Sequence, residues 1–101
     1  ALIDESFPVI AVVTPGRTYD KMISNMEEVR ARQGKVIAVA VSGDQKVAAQ
    51  ADFVLPVPEV PELLSTLANI IPLQQLSYEV SLLLGCNIDQ PRNLAKSVTV
   101  E

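Results

Sequence analysis

Hydrophobic positions along this chain fall into short runs and spaced patterns with different periods. Phe7 to Thr14, "FPVIAVVT", is continuous, apolar and rich in β-branched residues, and it stops at the turn signal Pro15-Gly16. Such a run predicts a strand covered on both faces. From Arg17 to Gln33 the period becomes helical. Met22, Ile23, Met26 and Val29 share one face, while Glu27, Glu28, Arg30 and Arg32 lie elsewhere. Asp20 sits in the first turn and the arginines in the last, which suits the helix dipole, and Gly34 is the expected stop. "KVIAVAV", Lys35 to Val41, predicts a second buried strand, closed by Ser42-Gly43-Asp44. "QKVAAQA" allows one short helix, and "DFVLPVP" a third, shorter strand ending in prolines. Pro61 opens a long helical region, Glu62 to Leu84, with Leu, Ile and Val on most faces. Pro72 removes a backbone donor and is predicted to kink or divide it; Gly85 ends it.

The order strand, helix, strand, short helix, strand, long helix, tail is that of an α/β fold with a parallel sheet and right-handed crossovers. Three parallel strands are few for so apolar a sheet, and the chain reads as cut from something larger. Composition narrows the picture. The 101 residues make about one small domain, 49% hydrophobic, with no Trp, so Val, Ile, Leu and Ala must build the core. Net charge is −4 and the eight cations are dispersed, which argues against a nucleic-acid-binding face. There is no histidine, and Asp and Glu show no calcium-loop spacing, so neither a metal nor another cofactor is expected. The lone Cys86 excludes an internal disulfide, fits a reducing compartment, and reads as a small buried hydrophobe. "ALIDESFP" shows no signal peptide and no run of 18 apolar residues occurs, so a soluble protein without membrane contact is expected.

Loops after parallel strands face the usual ligand crevice. "TPGR" and "SGD" are therefore candidates, with Ser42 and the Gly43 amide as an anion site, although plain turn chemistry explains both better. Glu27 and Glu28 read as exposed helix charges rather than an acid–base pair. The Leu-rich stripe from Leu63 to Leu84 reads as core or interface. Lys96 stands apart. Leu94, Ala95 and Val98 around it are apolar, and desolvation by such neighbours lowers a lysine pKa and makes its amine a nucleophile toward a carbonyl. An ordinary tail lysine is the competing reading.

The residues Ile23 to Gly34, "IPLQQLSY" at Ile71 to Tyr78, and "DQPRNLAKSVTVE" from Asp89 to Glu101 resemble the carboxyl-terminal part of the glucosamine-6-phosphate synthase family, the glutamine:fructose-6-phosphate amidotransferases. The resemblance covers the whole chain. It implies the carboxyl-terminal portion of the second sugar-isomerase (SIS) domain over residues 1–101. The fold would be a three-layer, flavodoxin-like α/β/α domain, incomplete here, with an active-site tail over 86–101. That family makes glucosamine 6-phosphate from fructose 6-phosphate and glutamine-derived ammonia. The glutaminase and first SIS domain are absent from these residues, so the fragment alone is expected to be inactive. By the resemblance, Lys96 is the catalytic Schiff-base lysine and the Ala95 backbone lies at the sugar. Leu94, Ala95 and Val98 wall the sugar pocket and ammonia path, and Arg92 and Asn93 position the tail. Sugar phosphates, the rest of the same polypeptide and a second copy in a homodimer are the implied partners, in the cytoplasm. It also implies a five-stranded sheet whose third strand lies beside the first, which makes Phe7–Thr14 that third strand, its neighbour missing. Two alternatives stay open: a non-catalytic sugar-phosphate-binding SIS module, and a purely structural piece whose long helix supplies a dimer or inter-domain surface.

Overall fold

A computed structural model describes residues 2–89. The elements follow in the order β1 (Val9–Val13), α1 (Tyr19–Ala31), β2 (Val36–Val41), α2 (Gln45–Gln50), β3 (Phe53–Val57), a 3₁₀ turn (Glu62–Leu64) and α3 (Ser65–Leu83). The three strands form one parallel sheet in the order β1-β2-β3, with Val9 opposite Val36 and Ile37 opposite Phe53.

Strand alternation divides the sheet into two faces. On one, Ala11, Val13, Val36, Ala38 and Ala40 are buried under Ile23 and Met26 of α1 and Val47 of α2. The small alanines of β2 let these helices approach closely. On the other face Val39 and Val57 are buried where α3 crosses β2 and β3. β2 is thus covered on both sides, as its unbroken apolar run predicts. β1 is not: Ile10 and Val12 are exposed, because α3 lies over the opposite half of that face. The expectation of a doubly covered first strand is corrected accordingly, and among the described residues the same strand is a sheet edge, paired with β2 alone.

The helix ends show what stops them. At the end of α1, Gln33 adopts φ 63°, and Gly34 N–H and Gln33 N–H donate to Val29 O (3.0 Å) and Arg30 O (2.9 Å). This is the paired-bond C-terminal motif, but Gln33, not the expected Gly34, takes the left-handed position. Gly34 is required for room instead: a Cβ there would lie 2.5 Å from Ile3 Cγ2 and 3.1 Å from the Val29 carbonyl. At the end of α3, Gly85 does take that position, with φ 68°. Cys86 follows, its N–H donating to Ser81 O at 2.9 Å, and is exposed. The expectation of a buried Cys86 is therefore wrong: Gly85 turns the chain out beyond the covered part of α3.

α3 begins three residues later than the pattern suggests, after the 3₁₀ turn, and runs unbroken through Pro72. The proline, half-buried, removes one amide without dividing the helix. No helix among the described residues is long and apolar enough to cross a membrane.

Candidate functional site

The loops that follow the strands meet at their carboxyl ends. After β1, Gly16 takes φ 151°, a left-handed value that suits glycine, and the Glu62 side chain lies directly over it. A Cβ on Gly16 would stand 2.7 Å from Glu62 Oε1. The loops after β1 and β3 thus touch above the end of β2.

After β2, the chain turns through Gly43, φ 84°, with Asp44 N–H donating to Val41 O at 3.1 Å. Asp44 then caps α2: its Oδ1 accepts from Val47 N–H at 3.0 Å. The same carboxylate accepts the Tyr19 hydroxyl, at 2.9 Å to Oδ1 and 2.7 Å to Oδ2. Burial first, then this hydrogen bond and the Asp44 charge, push the Tyr19 phenol up to about 12. Lys46 stands 5.4 Å over the Tyr19 ring and pairs with Asp20 at 2.8 Å, which raises its pKa above the ordinary lysine value.

The "SGD" turn has structural work: the Ser42 amide donates to Val57 O at 2.9 Å, and Asp44 joins the starts of α1 and α2 by accepting from the Tyr19 hydroxyl and Val47 N–H. An anion on Ser42 and the Gly43 amide would sit one residue from the Asp44 carboxylate, which favours plain turn chemistry. Tyr19, the residue that makes this join, carried no periodic or motif signal; its only trace was a tyrosine three residues past a Pro-Gly turn. Glu27 and Glu28 are exposed, Glu27 accepting from Gln50 Nε2 at 3.3 Å, as the surface-charge reading expects. Arg30 turns away from them to donate to Ala49 O at 2.7 Å, at the end of α2. No group of three or more His, Cys, Asp or Glu among the described residues could hold a metal. A groove of about 200 Å³ lies between β1 and α1, lined by Val9, Ile10, Met22 and Met26 among others; it is mostly apolar, and Asn25 is its one polar side chain. Arg92, Asn93, Leu94, Ala95, Lys96 and Val98 lie outside the described residues.

With the strand order and loop chemistry established, comparison with known proteins places the chain. Residues 1–84 match the SIS domain family. The chain belongs to that family. The SIS fold extends to a solved structure, the C-terminal domain of glucosamine-fructose-6-phosphate aminotransferase from Francisella tularensis, at a TM-score of 0.75 and 34% identity, covering 88% of this chain and 25% of that one. Among curated relatives, glutamine–fructose-6-phosphate aminotransferase [isomerizing] of Thermus thermophilus is 55% identical over all 101 residues, and that of Chlorobaculum tepidum 52%. This SIS chain spans 17% of the Thermus relative's length and 16% of the Chlorobaculum one. The three parallel strands with flanking helices expected from the pattern are thus those of a SIS domain, and the family resemblance read in the sequence holds over the whole chain.

Proposed function

We propose that this chain is the carboxyl-terminal portion of the second SIS domain of a glutamine–fructose-6-phosphate aminotransferase, with residues 86–101 as its active-site tail. The observation that carries the reading is the 55% identity to the Thermus relative, in a match that spans all 101 residues of the chain. In this reading the full-length enzyme makes glucosamine 6-phosphate from fructose 6-phosphate and glutamine-derived ammonia, toward UDP-N-acetylglucosamine. It works as a cytoplasmic homodimer, and sugar phosphates are its ligands.

The chemistry assigned to the tail follows from residue type. Lys96, as the neutral amine, adds to the C2 carbonyl of open-chain fructose 6-phosphate and expels water, leaving a Schiff base. The apolar Leu94, Ala95 and Val98 favour the neutral amine by desolvation and keep neutral ammonia from water and protons. The Ala95 backbone contacts the sugar, and Arg92 and Asn93 position the segment. Residues 1–101 contain no histidine for ring opening, so the isolated fragment is inactive even with free ammonia.

The test is to incubate the full-length enzyme with fructose 6-phosphate and borohydride and map the reduced adduct. The label is expected on Lys96, and Lys96→Arg is expected to abolish synthase activity, since arginine keeps the charge but supplies no neutral amine. A label elsewhere with full activity in Lys96→Arg overturns the assignment.

A further inference from the structure

The strongest unexplained feature is the outward side of α3. At 3.6 residues per turn, Ala68, Asn69, Pro72, Leu73 and Leu76 share one side of the helix, and all are buried or half-buried against the sheet. Leu67, Ile71, Gln74, Tyr78 and Leu82, spaced at steps of three and four, fall within about 80° of one another on the opposite side. These are open: Leu67 is 65% exposed, Ile71 63%, Tyr78 49% and Leu82 51%. The helix carries one charged residue, Glu79, which lies off this stripe. A helix with solvent behind it is polar there; one apolar on two opposite sides lies between two layers.

The occupant of that second layer follows from the lengths of the relatives. This chain spans 17% of the Thermus relative and matches 25% of the solved Francisella C-terminal domain. A tethered surface has an effective concentration in the millimolar range, far above that of a second copy in dilute solution. A stripe free of charge also suits a permanent contact rather than a transient one, whose surface would carry more charged groups. We propose, resting on the reading of the chain as part of a longer polypeptide and on nothing about Lys96, that the Leu67–Ile71–Tyr78–Leu82 stripe docks on an apolar surface of the same polypeptide outside residues 1–101. α3 is then the middle layer between its own sheet and that surface.

The experiment uses the full-length protein. A photo-crosslinking benzoylphenylalanine placed at Leu67 is expected to form an adduct that migrates at monomer mass and maps outside residues 1–101. Footprinting of the unsubstituted protein with hydroxyl radicals avoids any effect of that substitution on folding. Tyr78 and Leu82 are expected to be oxidised about tenfold more slowly than in the urea-unfolded chain, unchanged on dilution from about 50 µM to about 0.1 µM, because a tethered contact is insensitive to concentration. Oxidation at the unfolded rate overturns the proposal. Protection lost on dilution, or an adduct at dimer mass, assigns the stripe to a second copy and overturns it equally. An adduct within residues 1–101 overturns it as well. Loss of borohydride trapping at Lys96 would leave all these readouts untouched.

Discussion

Tyr19→Phe removes one hydroxyl and leaves the ring that Lys46 stands over. In the native chain that hydroxyl donates to both oxygens of Asp44, at 2.9 and 2.7 Å, while Asp44 Oδ1 also caps α2 through Val47 N–H. A hydrogen bond to a charged group is worth about 1.5–3 kcal/mol, and water reaching the half-buried carboxylate in the variant lowers the expected loss to about 1–2 kcal/mol. Asp44→Asn isolates the same contact from the other side, because asparagine caps a helix about as well as aspartate but carries no charge. A double-mutant cycle over the pair should then give a coupling of about 1 kcal/mol. The pH dependence has a definite sign. Tyr19 is raised from 10.0 to about 12 in the folded chain, so the folded state favours the protonated phenol. The stability this contributes is complete below the unfolded value near pH 10 and is lost as pH rises through about 12. Urea midpoints measured at neutral pH and across that alkaline window read both quantities. The wild type should lose stability across the window more steeply than Tyr19→Phe. A coupling below about 0.3 kcal/mol, or equal slopes in the two proteins, would show that the join between α1 and α2 does not depend on this bond.

Gln33→Gly should stabilise the chain by about 0.5–1 kcal/mol, since it relieves a left-handed residue at the end of α1; an unchanged urea midpoint would count against strain there. Gly34→Ala should destabilise by about 1–3 kcal/mol through overpacking against Ile3 and the Val29 carbonyl, whereas Gly43→Ala, which meets nothing within 4 Å, should lose about 1 kcal/mol from its φ of 84° alone. Asn69→Leu should be neutral or stabilising by about 1–3 kcal/mol, because Asn69 Oδ1 is buried without a partner; thermal unfolding of the two proteins decides it. Met26→Ala, at the centre of the α1 face, should lose about 2–5 kcal/mol by the same measurement.

The elements legible in the sequence are those whose own residues decide them. β2 is buried on both faces, and its unbroken Val–Ile–Ala run says so; α1 buries Ile23 and Met26, which its spacing put together. Misreadings occur where the deciding contact is distant. β1 is built from the same residue types as β2, yet Ile10 and Val12 are exposed, because coverage depends on where α3 lies and not on β1 itself. Gln33 in the left-handed position reflects the space that Ile3 and Val29 leave at Gly34. Pro72 was expected to kink or divide its helix, and the helix runs through it undivided. Cys86 looks like a core residue by type, but Gly85 turns it outward. The resemblance that assigns Lys96 was legible because thirteen adjacent residues carry it, from Asp89 to Glu101, and Lys96 itself lies outside the described residues. The Tyr19–Asp44 join was not, because its partners stand 25 residues apart and share no pattern.

The two edges of the sheet are not equivalent, and this gives the fold a direction of assembly. Pro56 lies within β3, opposite Ala40, and a proline has no amide to offer a further strand. β1 offers the uninterrupted backbone of Val9 to Val13. Among the described strands, β2 lies beside β1 and β3 beside β2, so these three can pair in the order in which they leave the ribosome. Each parallel pairing must close a crossover, Val9 to Val36 and then Ile37 to Phe53, and such non-local pairing is slow. β3 ends that order of pairing. A nascent chain stalled after β2 would display an apolar central strand with no proline guard, and it is at that moment, rather than in the finished domain, that the sequence is most exposed to mispairing.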